Sequence, residues 1–248
     1  MEKVLVIADI HGRQFWKNAV DEYKDKVERI IFLGDYLDRY ENEDITRKQE
    51  KENFKEIIDL KLKNKDKVIL LLGNHDCHYF EKRFPRSTRY SSSEAYSYRE
   101  MFQSNKSLFK LAHEETINGK KFLFTHAGLM NSWIKRNKDV IGEPTVENLN
   151  SLITTPRGVA ALSDISRYRT WLGEKSGSIL WSDVREKIDT DVVEDEIRLD
   201  EDSIVDGYDY QIFGHTQLVD KPMIFNKWAC LDCRKAFIID DKGELKDA

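Results

Sequence analysis

Five short apolar segments of this sequence each lead directly into side chains that could bind a metal ion. These side chains are Asp9 and His11 after the first segment, Asp35 after the second, Asn74 after the third, His126 after the fourth and His215 after the fifth. Carboxylate, amide and imidazole groups are suitable ligands for Mn, Fe or Zn. Two ions bound side by side need such ligands from several elements, with one carboxylate that bridges them. The pattern therefore predicts a centre for two divalent metal ions.

The charge of this ligand set indicates what the centre would attract. Only Asp9 and Asp35 are anionic among the six residues, so two dications would keep a net positive charge even with a bridging hydroxide. Water bound to metal reaches a pKa of about 7 in favourable sites, which makes hydroxide available near neutral pH. The centre is therefore suited to attract a phosphate dianion, whose phosphorus a metal-bridging hydroxide would attack in line.

The segments that precede these residues have the length and composition of buried strands. They are Val4–Ala8, Ile30–Leu33, Val68–Leu72, Phe122–Phe124 and Tyr210–Phe213. Continuous apolar runs indicate strands that are covered on both faces. Apolar residues at helical spacing in Arg13–Tyr23 and Ile45–Leu62, each between two strands, are typical of βαβ units. Ligands of such folds bind beyond the carboxyl ends of the strands, where all six predicted ligands lie.

The remaining strands complete an α/β sandwich. Asn118-Gly119, between two apolar stretches, predicts the usual two-residue hairpin turn. The later runs Met223–Phe225, Trp228–Leu231 and Ala236–Ile239 predict a further antiparallel set. Because no repeat or linker interrupts the chain, we expect residues 1–248 to form a single domain.

Composition and charge restrict the class of protein. The 248 residues are 40% hydrophobic and 34% charged, as in a folded globular protein, and no apolar run approaches the roughly 20 residues that cross a bilayer. The start Met1-Glu2-Lys3 is unlike a signal peptide, so we expect a cytoplasmic protein that does not bind membranes. The net charge of −5 gives no reason to expect nucleic acid as a partner. Cys230 and Cys233 lack a second pair for a zinc site, and we expect a structural role.

The motifs around the predicted ligands resemble those of the calcineurin-like metallophosphoesterases, and within them the phosphoprotein phosphatase (PPP) type that includes bacterial and phage serine/threonine phosphatases. The matching segments are Asp9–Gly12, Gly34–Arg39, Gly73–Asp76, His126–Gly128, Leu180–Asp183 and Gly214–Thr216. The resemblance spans nearly the whole chain. It implies a β-sandwich flanked by helices in four layers, αββα.

The resemblance also implies how the two metal ions are held. The first ion would be bound by the residues that match Asp9, His11 and Asp35. The second would be bound by Asp35, Asn74, His126 and His215, so that Asp35 bridges. Manganese is the metal we expect in an active preparation, with iron or zinc as alternatives.

Other residues receive catalytic and substrate-binding roles from the same resemblance. His75 matches a histidine that stays off the metals, and with Asp38 orienting its ring it would protonate the leaving oxygen. Arg39 would bind the non-bridging phosphate oxygens. Arg169 is the candidate for a second phosphate-binding arginine, with Arg167 and Arg185 as its alternatives.

The sequence departs from the PPP pattern at four positions. Ala8 and Tyr40 each stand where glycine is usual, Leu72 where arginine is frequent, and Asp76 where glutamate is usual. Metal binding should survive these changes. The properties that these four changes can affect are the contacts with the phosphate and the choice of substrate.

Three functions are compatible with these motifs. The first is a metal-dependent phosphatase that hydrolyses phosphomonoesters, with phosphoserine or phosphothreonine as the implied substrate. The second is a symmetrical dinucleoside tetraphosphatase, whose partner would be a nucleotide instead of a phosphoprotein. The third, remote alternative is an inactive scaffold, although this chain keeps both the ligands and His75.

Two segments are less informative. Residues 79–106 begin beside the predicted centre and contain several arginines, so they form either a rim or lid that sets substrate choice or a solvated helix with a polar loop. Residues 189–206 are rich in acids, which favours either a solvated excursion or a surface that repels polyanions. His78 follows the third strand closely, but the ligand set is complete without it and we expect a structural role.

Overall fold

The strands that precede the predicted ligands lie inside two β-sheets. The computed structural model describes residues 3–165, 177–184 and 205–248. In the first sheet, β1 (Val4–Ile7), β2 (Arg29–Phe32) and β3 (Val68–Leu71) run parallel to one another. In the second, β6 (Lys120–Thr125) runs parallel to β7 (Tyr210–Phe213). The carboxyl ends of parallel strands meet at one edge of a sheet, so the turns after these five strands can share a site.

Six further strands extend the two sheets. Their bounds are β4 Phe109–Lys110, β5 Ala112–Ile117, β8 Met223–Ile224, β9 Trp228–Cys230, β10 Ala236–Ile239 and β11 Leu245–Asp247. The strand order is β11-β10-β1-β2-β3-β4 in the first sheet and β5-β6-β7-β9-β8 in the second. The predicted hairpin joins β5 and β6, and both of its turn residues have positive φ, +50° at Asn118 and +74° at Gly119.

The prediction of a late antiparallel set is wrong in part. β8 and β9 are antiparallel to each other, but β9 runs parallel to β7 in the second sheet. β10 lies in the first sheet, antiparallel to β1. The residues between β9 and β10 therefore carry the chain from one sheet to the other. Apolar patterning marks where a strand lies, but it contains no information about which sheet the strand joins.

The two sheets pack face to face through alternate residues of their strands. Val6, Ile31 and Leu71 of the first sheet share a buried cluster with Phe124 and Ile212 of the second. Their neighbours along the strands point the other way, because side chains of a strand alternate between its faces. Leu5 and Phe32 belong to a separate cluster with residues of the first two helices.

Helices cover both outer faces of the sandwich. Their bounds are α1 Phe15–Tyr23, α2 Arg47–Lys63, α3 Asn74–Phe80, α4 Ala95–Ser104, α5 Asn131–Arg136, α6 Lys138–Ile141, α7 Val146–Ser151 and α8 Pro156–Leu162. Trp16 of α1 packs on Phe32 and donates to Asn53 of α2, which fastens both helices over the first sheet. Leu123 of β6 shares a cluster with Trp133 of α5 and residues of α7 and α8. The four-layer αββα arrangement predicted from the sequence is confirmed.

Local sequence signals fix where the second helix begins. Thr46 precedes α2, its hydroxyl accepts from the amide of Gln49, and the Gln49 side chain accepts from the amide of Thr46. This reciprocal capping box satisfies amide groups that have no partner within the helix. α2 therefore begins at Arg47, two residues later than the apolar spacing predicts. None of the described helices combines the length and apolar character that a membrane span requires.

Candidate metal centre

Six predicted ligands come together where the central strands end. Two groups of three side chains place their ligand atoms within 4.8 Å of one another, and Asp35 belongs to both. The first group adds Asp9 and His11, and the second adds His126 and His215. Four of these five side chains are buried, and the fifth, His215, is partly exposed.

Asn74 joins the second group through its amide oxygen. Its Oδ1 lies 3.0 Å from both His126 Nε2 and His215 Nδ1, which are themselves 3.2 Å apart. Asp35 Oδ2 lies 3.6 Å from His126 Nε2 and 3.4 Å from His11 Nε2. Asp35 is thus the carboxylate that faces both groups.

The backbone at these residues adopts a conformation that side chains other than glycine rarely take. Asp9, His11, Asp35 and His215 have positive φ values of +43°, +45°, +54° and +68°. Each such residue costs of order 1 to 3 kcal/mol and persists only where surrounding structure enforces it. The strain turns side chains at the ends of buried strands sharply toward one point.

Three positions of the motifs require glycine because neighbouring atoms lie too close for a side chain. A Cβ on Gly73 would lie 2.1 Å from Asp35 Oδ1, and a Cβ on Gly214 would lie 2.0 Å from Asp9 Oδ2. A Cβ on Gly34 would lie 2.3 Å from the backbone nitrogen of Gly73. Any larger residue at these positions would displace the carboxylates or the loops that hold them.

Backbone carbonyls orient two of the histidines for metal binding. The Nδ1 of His11 donates to Leu37 O at 2.8 Å, and the Nδ1 of His126 donates to Leu33 O at 2.9 Å. The proton on Nδ1 leaves the lone pair of Nε2 directed at Asp35. Such second hydrogen bonds fix the ring and tautomer of metal-binding histidines.

The pKa values of the three histidines and of Asp35 favour the charge states that a metal site needs, and the pKa of Asp9 is shifted the other way. Burial lowers the pKa of His11 and of His126, and burial together with the nearby His126 lowers the pKa of His215 to about 3. The three rings are therefore neutral and able to donate lone pairs. Burial by itself would raise the pKa of Asp35, but His126, His75 and His11 outweigh it and hold that pKa well below the usual range. Burial and the neighbouring carboxylates of Asp232 and Asp35 raise the pKa of Asp9.

Asp76 fixes the two loops that carry Asp35 and Asn74. Its carboxylate accepts from the amides of Asp35 (2.7 Å), Tyr36 (2.9 Å) and Gly73 (2.9 Å), and the side chain is fully buried. One side chain thereby satisfies amide groups from the ends of both β2 and β3. The aspartate that replaces the more usual glutamate here holds the ligand loops in place.

His75 and Asp38 form a pair beside the ligands, outside both groups of three. His75 Nδ1 donates to Asp38 Oδ2 at 2.9 Å, and its ring packs edge-on against His11 with centroids 5.2 Å apart. Tyr79 donates to the other oxygen of Asp38 at 2.7 Å. Burial would raise the pKa of Asp38, but the hydrogen bond from His75 and the nearby ring of His78 outweigh this and lower it. The carboxylate orients the ring through Nδ1, and Nε2 of His75 lies 3.2 Å from Nη2 of Arg89.

Arg39 follows Asp38 and is positioned by the second helix. Its backbone amide donates to Oε1 of Glu50 at 2.7 Å, and Glu50 also accepts from Tyr98 of α4. The side-chain Nε of Arg39 is buried without a hydrogen-bond partner among the described residues. This orphaned donor gives the guanidinium unused capacity to bind an anion.

The other sequence predictions have mixed outcomes. His78 is buried with its Nε2 3.1 Å from Asp38 Oδ2, so it contacts the pair and lies outside both ligand groups. Trp181, in the matching segment Leu180–Asp183, packs edge-on against His215, with ring centroids 6.0 Å apart. Cys230 and Cys233 are buried free thiols, and Cys230 donates to the carbonyl oxygens of Gly214 and Thr216. Arg169, its alternatives Arg167 and Arg185, and the acidic stretch up to residue 204 lie outside the described residues.

Besides Tyr79, two further residues of the segment 79–106 contact the pair, and the sequence did not assign them there. The Ser87 hydroxyl lies 3.1 Å from Nδ1 of both His75 and His78. Arg89 donates to the backbone oxygen of Asp38 at 2.9 Å. No local motif marks these residues, because their position depends on how the loop between α3 and α4 folds back over the strand ends.

Comparison with known proteins agrees with this geometry. The family model for calcineurin-like phosphoesterases matches residues 2–218. The chain belongs to that family. Membership makes the protein a metal-dependent phosphoric ester hydrolase, and it confirms the resemblance drawn from the motifs.

Solved structures of phosphatases share the fold. A cold-active protein-tyrosine phosphatase from a psychrophilic Shewanella species aligns over 100% of this chain and 80% of its own, with 14% identity and a TM-score of 0.61. A protein serine/threonine phosphatase from Saccharomyces cerevisiae with similarity to human phosphatase PP5 aligns with the same coverage and identity at a TM-score of 0.53. At this identity the likeness concerns the fold alone. A search of curated protein sequences found no match.

The donor set of the centre fits the metal ions that the family requires. Each group of three combines carboxylate oxygen with imidazole nitrogen, and His11 and His126 each turn an unprotonated Nε2 toward Asp35. Mixed oxygen and nitrogen ligands of this kind suit Mn, Fe or Zn. The residues present therefore have the chemistry to hold divalent cations.

Proposed function

We propose that this protein is a phosphomonoesterase that uses two divalent metal ions, with phosphoserine or phosphothreonine as its substrate. One observation carries the proposal: Asp35 belongs to both groups of ligand atoms, and the His75–Asp38 pair lies beside them without belonging to either. A shared carboxylate is what two adjacent cations need. An oriented imidazole outside the ligand set is what a leaving group needs.

The residues divide naturally between the two ions. Asp9, His11 and Asp35 would hold the first, and Asn74, His126 and His215 would hold the second together with Asp35. Manganese is the metal we propose. When bound, two such cations would acidify a water molecule and neutralise charge on the phosphate.

The chain's own residues supply the remaining chemistry. Asp38 fixes the proton of His75 on Nδ1, so that Nε2 is the nitrogen that would carry the proton for the leaving oxygen. Arg39, with an unpaired buried Nε, would bind the non-bridging oxygens of the phosphate. Burial of the ligands excludes bulk water, which strengthens each of these charge interactions.

The PPP-type motifs support a phosphoprotein substrate. Both structural neighbours are described as protein phosphatases, one for tyrosine and one for serine and threonine. Hydrolysis of a dinucleoside tetraphosphate uses the same ligand motifs. These three substrate classes are therefore the ones to compare directly.

The test measures turnover of three substrates by the manganese-loaded protein. They are a phosphoserine peptide, the same peptide with phosphotyrosine, and a symmetrical dinucleoside tetraphosphate, with Asp35→Asn as the blank. We expect kcat/KM to be highest for the phosphoserine peptide. A higher kcat/KM for the dinucleotide would contradict the proposed substrate, and no turnover above the blank for any of the three would contradict the proposed enzyme.

A substitution of His75 tests its role separately from metal binding. We expect His75→Asn to lower kcat by about 10² to 10⁴ while the bound metal content stays unchanged. The matched control is His113→Asn, because His113 pairs with Glu115 on β5, outside the centre. Unchanged kcat in metal-loaded His75→Asn would remove His75 from the mechanism.

A further inference from the structure

Arg89 comes from the loop between α3 and α4, but its guanidinium lies against the catalytic pair. Its Nε donates to Asp38 O at 2.9 Å, and its Nη2 donates to Nε2 of His75 at 3.2 Å. The backbone of Arg89 has φ of +62°, a strained value for an arginine. The loop therefore holds this side chain in place at an energetic cost, which is frequent at functional sites.

Tyr40 forms the surface on which Arg89 lies. The guanidinium carbon is 3.9 Å from the centre of the Tyr40 ring, and that ring packs edge-on against His11 with centroids 5.0 Å apart. The guanidinium thus reaches the metal-ligand side of the pair.

Arg89 has no acidic partner among the described residues, in contrast to two other arginines of this region. Arg13, on the same tyrosine ring, is neutralised by a bidentate pair with Glu43, and Arg83 pairs with Glu81. Within the described part of the chain, Arg89 contacts a carbonyl oxygen, an imidazole and an aromatic ring, and no carboxylate. Its positive charge is therefore available to an anion that enters the centre.

The hydrogen bond from Arg89 occupies Nε2 of His75, which is the nitrogen that the proposed reaction uses. Nε2 is the nitrogen to which the proposed function gives the leaving-group proton, and here it accepts from Arg89. While this hydrogen bond is made, Nη2 of Arg89 and Nε2 of His75 cannot both contact a substrate. A phosphate oxygen placed between them would take the Arg89 donor and leave Nε2 facing the leaving group.

We propose that Arg89 is a phosphate-binding residue, which exchanges its contact with His75 Nε2 for an oxygen of a dianionic phosphomonoester. This proposal rests on the proposed function and deepens it. The exchange couples substrate binding to release of the leaving-group nitrogen. It also provides a guanidinium from residues 79–106, the segment for which a role in substrate choice is one of the two interpretations of the sequence.

The test measures binding of inorganic phosphate to the manganese-loaded protein by calorimetry. We expect Arg89→Ala to weaken phosphate affinity about 10- to 100-fold, because a charge-assisted hydrogen bond is lost. Arg89→Lys should recover part of the affinity. Arg83→Ala is the matched control, since it removes an exposed arginine of the same segment whose partner is Glu81, and we expect wild-type affinity.

A further variant separates charge from loop positioning. Arg89→Gln keeps hydrogen-bond donors but lacks the charge, so we expect phosphate affinity as weak as in Arg89→Ala. In kinetics with the phosphoserine peptide, both variants should raise KM more than they lower kcat. Phosphate affinity within twofold of wild type in Arg89→Ala, with full metal content, would overturn the proposal, as would full recovery in Arg89→Gln.

The calorimetric measurement does not depend on turnover. If the wild-type protein hydrolyses no phosphomonoester, the proposed function fails while the effect of Arg89 on phosphate affinity can still be read. If the wild type is active and Arg89→Ala binds phosphate normally, only the role of Arg89 fails.

Discussion

The two ends of the β-sandwich are built on different principles. At the carboxyl ends of the parallel strands, Asp38 (φ +60°) joins the four candidate ligands that have positive φ, and the glycines leave no room for a Cβ. At the opposite end, Asn118-Gly119 forms an ordinary hairpin turn, and a Cβ on Gly119 would have no atom within 4 Å. The backbone is therefore strained and crowded at the end where the candidate ligands converge, and it forms an uncrowded turn at the opposite end.

The largest effect should follow removal of the shared carboxylate. We expect Asp35→Asn to lower bound manganese from two ions to fewer than one per chain, because the residue faces both ligand groups. Turnover should fall by at least about 10³. Metal analysis and kinetics measure both effects, and Asp240→Asn at the opposite end is the control. Retention of two ions by Asp35→Asn would show that the carboxylate is not shared.

Alanine in place of glycine tests the difference in crowding directly. Gly73→Ala would bring a Cβ to 2.1 Å from Asp35 Oδ1 and 2.5 Å from its amide nitrogen, and we expect a loss of about 3 kcal/mol in unfolding free energy. In Gly119→Ala the added Cβ has no atom within 4 Å, so we expect the unfolding free energy to fall by about 1 kcal/mol, the cost of φ at +74° for alanine. Urea unfolding of the metal-free proteins gives both values. Equal losses would mean that the crowding at Gly73 is relieved by movement of the loop.

Loss of the buried acceptor at Asp76 should have a somewhat smaller effect. Asp76→Asn places an NH₂ group against an amide donor whichever way the side chain turns, since both oxygens accept from backbone N–H groups. We expect a loss of about 2 kcal/mol in unfolding free energy, together with weaker manganese binding. Asp240→Asn again serves as the matched control. Unchanged manganese affinity in Asp76→Asn would mean that Asp76 does not position the ligand loops.

The smallest effect concerns the turn at Asp240. Hydrogen bonds from Lys246 and from the amides of Glu244 and Lys242 hold the pKa of Asp240 at about 2, below its ordinary value of 3.8. A depressed acid pKa stabilises the fold above the ordinary pKa, and this contribution is lost as pH falls from about 4 to about 2. The stability difference between wild type and Asp240→Asn should therefore shrink over that range in urea unfolding. A difference that is independent of pH would contradict this.

The sequence predicted the central strands and their chemistry because both signals are local. An apolar run such as Val68–Leu72 followed by Asn74 indicates a buried strand and a candidate ligand without knowledge of the rest of the chain. The contacts of Arg89 with Asp38 and His75 depend on the path of a loop between two helices, which no short pattern encodes. The separation of β9 and β10 into different sheets depends likewise on long-range packing.

The most direct test of the central claim is electron paramagnetic resonance of the protein loaded with manganese. The claim is that Asp35 is shared by two metal ions held at the carboxyl ends of the strands. We expect two ions per chain and the multiline spectrum of an exchange-coupled pair. A six-line spectrum of isolated manganese at full loading would contradict the shared centre.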